Sequence, residues 1–468
     1  MPLGPFDRRK KRSRCLACSA SHLKCSGTFP CSNCQRRQIA CDFSPVLNKV
    51  ARIKIDHGNH ATAVGLAKSD CRHAPQLVIT PRADRSSYFF RYFDTFLLRN
   101  RFTQKNIFPI DIVELIQHSS SGEYLRDAVL SLGAMQATKT RSAEGIDSQE
   151  SYRFAVNHYS KSVAGLRTAL NQFASLPNLR HGILWTTHLL GLFELMSDTT
   201  GQGWVQHLVH GTSSALVATG PLAFESGLGK RFFTEIRIFE VCRAIIFNEP
   251  TFLADPRWQN LSAKLQELKD DEQSHPLDAL LDIIVFCSTL RVRASNLICS
   301  IQDGQSAGTP DEAHDIAVEG FRLRQALALW QANRRASTPT SNPKGETTAD
   351  GDFLSLAEVF FSATSIYLSG VFDYEIVHWQ NMGIPVPNLS EEEIQTHVST
   401  ILVLSGMILD NSNISPVLVL FPLRVAGARS WDQWQHACII ELLERIEQTF
   451  PVAAAFKLNL GALWASRC

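Results

Sequence analysis

The chain has 468 residues, 44% of them hydrophobic and 19% charged, which is enough apolar material to bury a core and a length that calls for two or three folding units. Its net charge of +1 hides an asymmetry, because residues 1–50 carry ten Lys/Arg against two acids while the remainder carries 36 against 43. No run of about 18–20 consecutive apolar residues marks a spanning helix, and the basic start has no apolar stretch behind it as a secretory signal would, so neither a membrane-bound nor a secreted protein is expected.

The first segment, residues 1–14, is a basic arm. Arg8, Arg9, Lys10, Lys11, Arg12 and Arg14 fall within seven residues. Such a run suits phosphate contacts and also serves as a nuclear import signal. Half of the twelve cysteines follow directly, as Cys15, Cys18, Cys25, Cys31, Cys34 and Cys41. The spacing C-x2-C-x6-C occurs twice, joined by five residues. Zinc prefers four thiolates in a tetrahedron. Two zincs then require eight ligand positions from six cysteines, so two sulfurs must bridge both metals. Cys18 to Lys24 and Cys34 to Ala40 lack Gly and Pro and are read as two short helices, with the loop from Ser26 to Pro30 between them. A unit of this size has little apolar core, and metal binding supplies most of its folding free energy. A disulfide framework is the weaker reading, since no export signal accompanies the cysteines.

Residues 15–41 resemble the DNA-binding head of the fungal binuclear zinc cluster transcription factors. All six cysteines, Lys24 before the third and Pro30-Cys31 at the fourth carry the likeness. The resemblance implies two Zn2+ bridged by Cys15 and Cys31, double-stranded DNA as partner, and the nucleus as location. It also implies reading of CGG triplets by the segment between the second and third cysteines. Here that segment reads Ser19-Ala20-Ser21-His22-Leu23-Lys24. His22 stands where the family commonly places a base-reading lysine, and a neutral imidazole lacks the ammonium charge. Arg36 and Arg37 occupy a place where the family contacts the phosphate backbone, which gives affinity and register rather than sequence.

Residues 42–83 read as a linker ending near Pro75 and Pro81. Val46, Val50 and Ile53 make a fragment of a heptad pattern that His57-Gly58-Asn59-His60 interrupts, and a coiled coil needs about three or four sustained heptads. Dimerisation through this segment is therefore not expected, a flexible tether is the better reading, and dimerisation of the chain as a whole is left open. From residue 84 to 468 the pattern is helical. Leu125, Val129, Leu132 and Met135 share one face; Tyr152, Val156, Tyr159, Val163, Leu166 and Leu170 share another. Ile183 to Met196 is apolar nearly all round, as a central helix is. Ser390 with Glu393 is a capping-box signature. Val417 to Leu420, after Pro416, is too short and isolated to suggest a sheet. Polar breaks are expected at Gln302–Pro310 and Arg335–Gly351. The fold expected is a small zinc-stabilised N-terminal DNA-binding head plus a large all-α domain.

The body also resembles the fungal-specific regulatory domain that follows such heads. The likeness rests on Trp204 to Gly211, running on to Gly220-Pro221, and on Phe252, Leu253 and Trp258. As one helix, Trp204, His207, Leu208, Gly211 and Ala215 would share a face. His207 and His210 lack a third metal ligand nearby and read as packing or surface residues. Gly227-Leu228-Gly229-Lys230 fails the phosphate-loop pattern, and Asp270-Asp271-Glu272 reads as a solvated acidic loop. No G-x-S-x-G or H-E-x-x-H motif occurs, so no enzyme is expected. The reading is a zinc-dependent, sequence-specific regulator of RNA polymerase II genes. Its body would answer to a co-regulator or a small apolar ligand. The alternative is a ligand-sensing or scaffold helical protein whose zinc head binds DNA poorly.

Overall fold

The computed structural model describes residues 31–37, 85–103, 108–118, 122–140, 147–171, 180–267, 276–302, 310–337 and 349–467. The basic arm, most of the cysteine head, the whole linker and Asp270 to Glu272 lie outside these residues. The chain divides into two units, Met1–Arg82 and Ala83–Cys468. In the first, one short helix is described, α1 (Ser32–Arg36).

The second unit is built from helices. Its first half comprises α2 (Arg85–Arg99), α3 (Phe108–His118), α4 (Gly122–Lys139), α5 (Ser148–Leu170) and α6 (Arg180–Ser197). A broken passage follows: α7 (Gln202–Val205), a π-helical stretch over Gln206–Ser213, α8 (Ser214–Thr219) and a 3-10 turn at Pro221–Phe224. Gly220 stops α8 with φ +80°, a conformation few other residues adopt, and Pro221 prevents continuation. Next come α9 (Gly227–Phe247), α10 (Pro256–Glu267), α11 (Pro276–Gln302), α12 (Pro310–Ser337) and α13 (Ala349–Asp373). The chain closes with α14 (Ile376–Asn381), α15 (Glu391–Asn411), a 3-10 turn at Pro416–Val419 leading into α16 (Leu420–Ala428), then α17 (Gln433–Glu447) and α18 (Ala453–Ala465). Among the described residues no strand occurs beyond one isolated bridge between Arg101 and Ile414. That bridge ties the end of α2 to the turn after α15, with Arg101 N–H on Asn413 O at 2.8 Å and Ser415 N–H on Arg101 O at 2.9 Å.

Helices α2, α4, α5 and α6 pack together, as do α11, α13, α15 and α16, and α9 touches members of both groups. The central elements are buried nearly all round, as expected for α6, where every residue from Gly182 to Leu192 is buried. Helix α13 has a stretch, Gly351–Asp373, long and apolar enough to cross a membrane, but 72% of it is buried inside the protein. Most of that stretch packs against neighbouring helices. The capping box opens α15 as the sequence indicates: Glu393 N–H donates to Ser390 Oγ at 3.2 Å and Ser390 N–H to Glu393 Oε2 at 2.7 Å.

Three expectations are corrected. Helix α5 forms, but its buried residues are Ser151, Ala155, Ser162, Leu166 and Ala169. Tyr152, Val156 and Leu170 are exposed. The reason is close approach: Ser162 Oγ donates to Tyr124 O of α4 at 2.8 Å. A Cβ on Gly165 would sit 2.8 Å from Tyr124 Cβ. Small residues set this contact, so the largest apolar stripe is not the one buried. Second, the single helix expected over Trp204–Ala215 widens to π geometry between two α-helical pieces. Third, the break after α12 is shorter than Arg335–Gly351, because α12 runs to Ser337 and α13 begins at Ala349.

Candidate metal and nucleic-acid site

In the head, α1 begins at Ser32, two residues earlier than the expected Cys34. The cause is a thiol cap. Gln35 N–H donates to Cys31 O at 2.9 Å, the first bond of the helix, and Cys34 N–H donates to Cys31 Sγ at 3.3 Å. Cys31 thus occupies the position where Ser or Asp usually caps, with sulfur in place of oxygen. Cys31 and Cys34, three apart, share one face of the turn. Both are fully buried, at 0% and 1% exposure. Gln35, Arg36 and Arg37 are exposed. The two cysteines are thus buried, while Arg36 at the end of the helix and Arg37 just beyond it are exposed.

This is the arrangement a thiolate metal site needs. A backbone N–H on sulfur favours the charged form of the thiol, which is the form that binds metal. With a metal bound there, burial of both residues would limit the access of water to the metal–sulfur bonds. The residues present therefore fit zinc. Cys15, Cys18, Cys25 and Cys41 lie outside the described residues, as do Arg8, Arg9, Lys10, Lys11, Arg12, Arg14, His22 and Lys24.

In the body, no group of three or more His, Cys, Asp or Glu positioned to hold a metal occurs among the described residues. His207 has a different assignment. The Tyr159 hydroxyl donates to Glu194 Oε1 at 2.5 Å and lies 2.9 Å from His207 Nε2. With its one proton given to Glu194, the hydroxyl accepts from His207 Nε2–H. Burial lowers His207 to about 4 and raises Glu194, so a neutral imidazole faces the pair. Tyr159 is pushed up by burial and by Glu194. The π stretch is what brings His207 to α5 and α6. Gly211 in the same stretch faces α6, where an added Cβ would lie 3.3 Å from Thr187 Cγ2.

A second network fixes the turn after α9. Glu240 accepts from Arg243 Nε at 3.0 Å and Nη2 at 2.7 Å, from Thr251 Oγ1 at 2.9 Å and from Ser213 Oγ at 2.9 Å. Arg243 also reaches Glu249 and the Pro250 carbonyl. Both partners are buried and multiply bonded, the condition under which a buried ion pair is tolerated. Neither network was visible in the sequence. Glu194 and His207 lie 35 and 48 residues from Tyr159, and the three form no motif. The buried thiols Cys242 and Cys287 are raised by burial, which keeps them protonated and poorly nucleophilic. Gly227 to Lys230 opens α9 rather than forming a phosphate loop.

Comparison with known proteins adds the following. Residues 78–467 match the fungal specific transcription factor domain, and residues 14–49 match the fungal Zn(2)-Cys(6) binuclear cluster domain. An uncharacterized protein of Emericella nidulans is 23% identical over 174 residues, which is 36% of this chain and 36% of that protein. The chain thus matches well under two thirds of the length of that curated relative. No solved structure matches.

Proposed function

Because the chain belongs to the fungal specific transcription factor family and carries a zinc-binding Zn(2)-Cys(6) head, we propose that it is a nuclear regulator that reads a defined DNA sequence and controls RNA polymerase II genes. One observation supports this above the rest: the doubled C-x2-C-x6-C spacing together with the buried, capped Cys31–Cys34 pair. On this reading Cys15, Cys18, Cys25, Cys31, Cys34 and Cys41 hold two Zn2+, with Cys15 and Cys31 shared. The metal supplies folding free energy to a head with little core. His22 and Lys24 face base edges, and the basic arm with Arg36 and Arg37 grips phosphates. If about six phosphates are neutralised, affinity falls with salt at a log–log slope near −5. Residues 84–468 are the regulatory part, answering to a co-regulator or a small apolar ligand. Families of this kind are generally not enzymes, and we read the body as regulatory rather than catalytic.

The test is in vitro site selection with the full chain, zinc-loaded, at about 0.15 M salt, where non-specific binding is weakened. An enriched motif supports the reading. No enrichment from folded, zinc-bound protein rejects it. The Ser19–His22 segment favours one second reading, a ligand-sensing or scaffold body whose head binds DNA poorly. If His22→Lys creates CGG binding where the native chain has none, that second reading stands.

A further inference from the structure

A cavity of about 380 Å³ opens in the second half of the body, where α11, α13, α16 and α18 converge on the end of α9. That volume is in the range of small-molecule sites. Two guanidinium groups line it, Arg291 from α11 and Arg424 from α16, and none of the described lining residues is acidic. Arg291 is held in place, its Nη1 donating to Gly370 O at 2.5 Å and its guanidinium carbon 5.3 Å from the Tyr374 ring centre. Asp373, the residue before Tyr374 in the chain, does not line the cavity, and its Oδ2 accepts from Arg429 at 2.8 Å and from Ser369 at 2.7 Å. Asn459 and the Tyr367 hydroxyl add polar atoms, the latter donating to Asn248 Oδ1 at 3.1 Å. Asn248 is the only non-glycine with positive φ among the described residues, at +50°. Ile366, Val425, Leu460 and Leu463 supply apolar lining beside this polar set.

We propose that this cavity binds a small organic anion, a carboxylate carried on an apolar body. Two like charges converging on a partly enclosed space repel and lose hydration; a carboxylate between them offsets both costs and matches the guanidinium fork. Burial lowers Arg424 below its ordinary value; Tyr374 and Tyr367 oppose that shift, and the Arg291 charge adds the smallest push in the same direction as burial. The apolar lining selects an organic anion over a bare inorganic one. The proposal deepens the reading of the body as regulatory and rests on it for its consequence, but the binding itself is measured without DNA.

The probes are benzoate, benzamide and benzamidine, which share one shape and differ in charge, titrated calorimetrically into full-length zinc-loaded protein. Benzoate should bind at least about tenfold tighter than benzamide, a difference of about 1.4 kcal/mol, and benzamidine should bind weakest. Arg291→Met and Arg424→Met should each erase the preference. Leu463→Phe fills the cavity while leaving both guanidinium groups, and should weaken benzoate and benzamide together; it decides the matter if an arginine variant fails to fold. Inorganic phosphate should compete at least about tenfold more weakly than benzoate. Equal affinity for benzoate and benzamide, benzoate binding unaffected by Leu463→Phe, or phosphate competing as well as benzoate would each overturn the proposal. Loss of DNA reading with the benzoate preference intact counts against the functional reading and leaves the cavity assignment standing.

Discussion

His188 lies in an aromatic cage, with its ring centre 4.9 Å from Phe239, 6.2 Å from Trp185 and 6.4 Å from Phe232. Burial lowers it to about 3 and lowers His207 to about 4. In the unfolded chain both titrate near 6.5. The unfolded state therefore binds more protons below that value, so the stability these residues contribute is complete above pH 6.5 and is lost as pH falls towards 4 and 3. At pH 5 each is about 1.5 units below its unfolded pKa, which corresponds to about 2 kcal/mol apiece. Glu194 works in the opposite direction, because its raised pKa makes its contribution fade as pH rises. His188→Phe is the clean variant, since phenylalanine keeps the ring and removes the titration. Urea unfolding at pH 7 and pH 5 should show a loss about 2 kcal/mol smaller in His188→Phe than in the native protein. An unchanged pH dependence would mean that His188 accepts a proton without unfolding.

At the scale of the elements, helix packing depends on positions where no side chain fits. A Cβ on Gly133 in α4 would fall 2.1 Å from Phe89 O and 3.1 Å from Phe93 N of α2. Gly461 in α18 is also helical, but an added Cβ there meets nothing within 4 Å. The same substitution should therefore have opposite signs. Gly461→Ala should stabilise by about 1 kcal/mol through helix propensity. Gly133→Ala should cost about 3 kcal/mol or more, because backbone must move. Chemical denaturation midpoints of the two variants measure this, and a mild effect at Gly133 would show that α2 and α4 can slide apart. The same feature explains what the sequence could and could not convey. The Ser390–Glu393 box was legible because its partners are three residues apart. The cysteine spacing was legible because metal geometry acts over a few residues. The buried face of α5 is not legible from hydrophobicity, because small residues such as Ser162 and Gly165 meet Tyr124 of α4 at close approach. The widening at Gln206–Ser213 and the Tyr159–Glu194–His207 contacts follow from tertiary packing, and no local pattern encodes them.

At the scale of the whole molecule, the first unit, Met1–Arg82, carries 15 Lys/Arg against four Asp/Glu and seven of the twelve cysteines, while the second, from Ala83, carries 31 against 41. The two parts also differ in what holds them together. The body buries Trp185, Trp379 and ten phenylalanines almost completely, so its stability derives from apolar burial. In the head Cys31 and Cys34 are both buried and Cys34 N–H donates to Cys31 Sγ, and the stability of the head should depend on metal. Removing zinc from the full chain with a strong chelator should therefore have two separable effects. Specific DNA affinity should fall by at least about 10³-fold, to the non-specific level. The cooperative melt of the helical body, followed by circular dichroism at 222 nm, should stay where it was. Re-addition of zinc should restore DNA binding without altering the melt. If chelation instead lowers the melting temperature of the body, metal and apolar core are thermodynamically linked, and the head contributes to the stability of the regulatory part as well as to DNA binding.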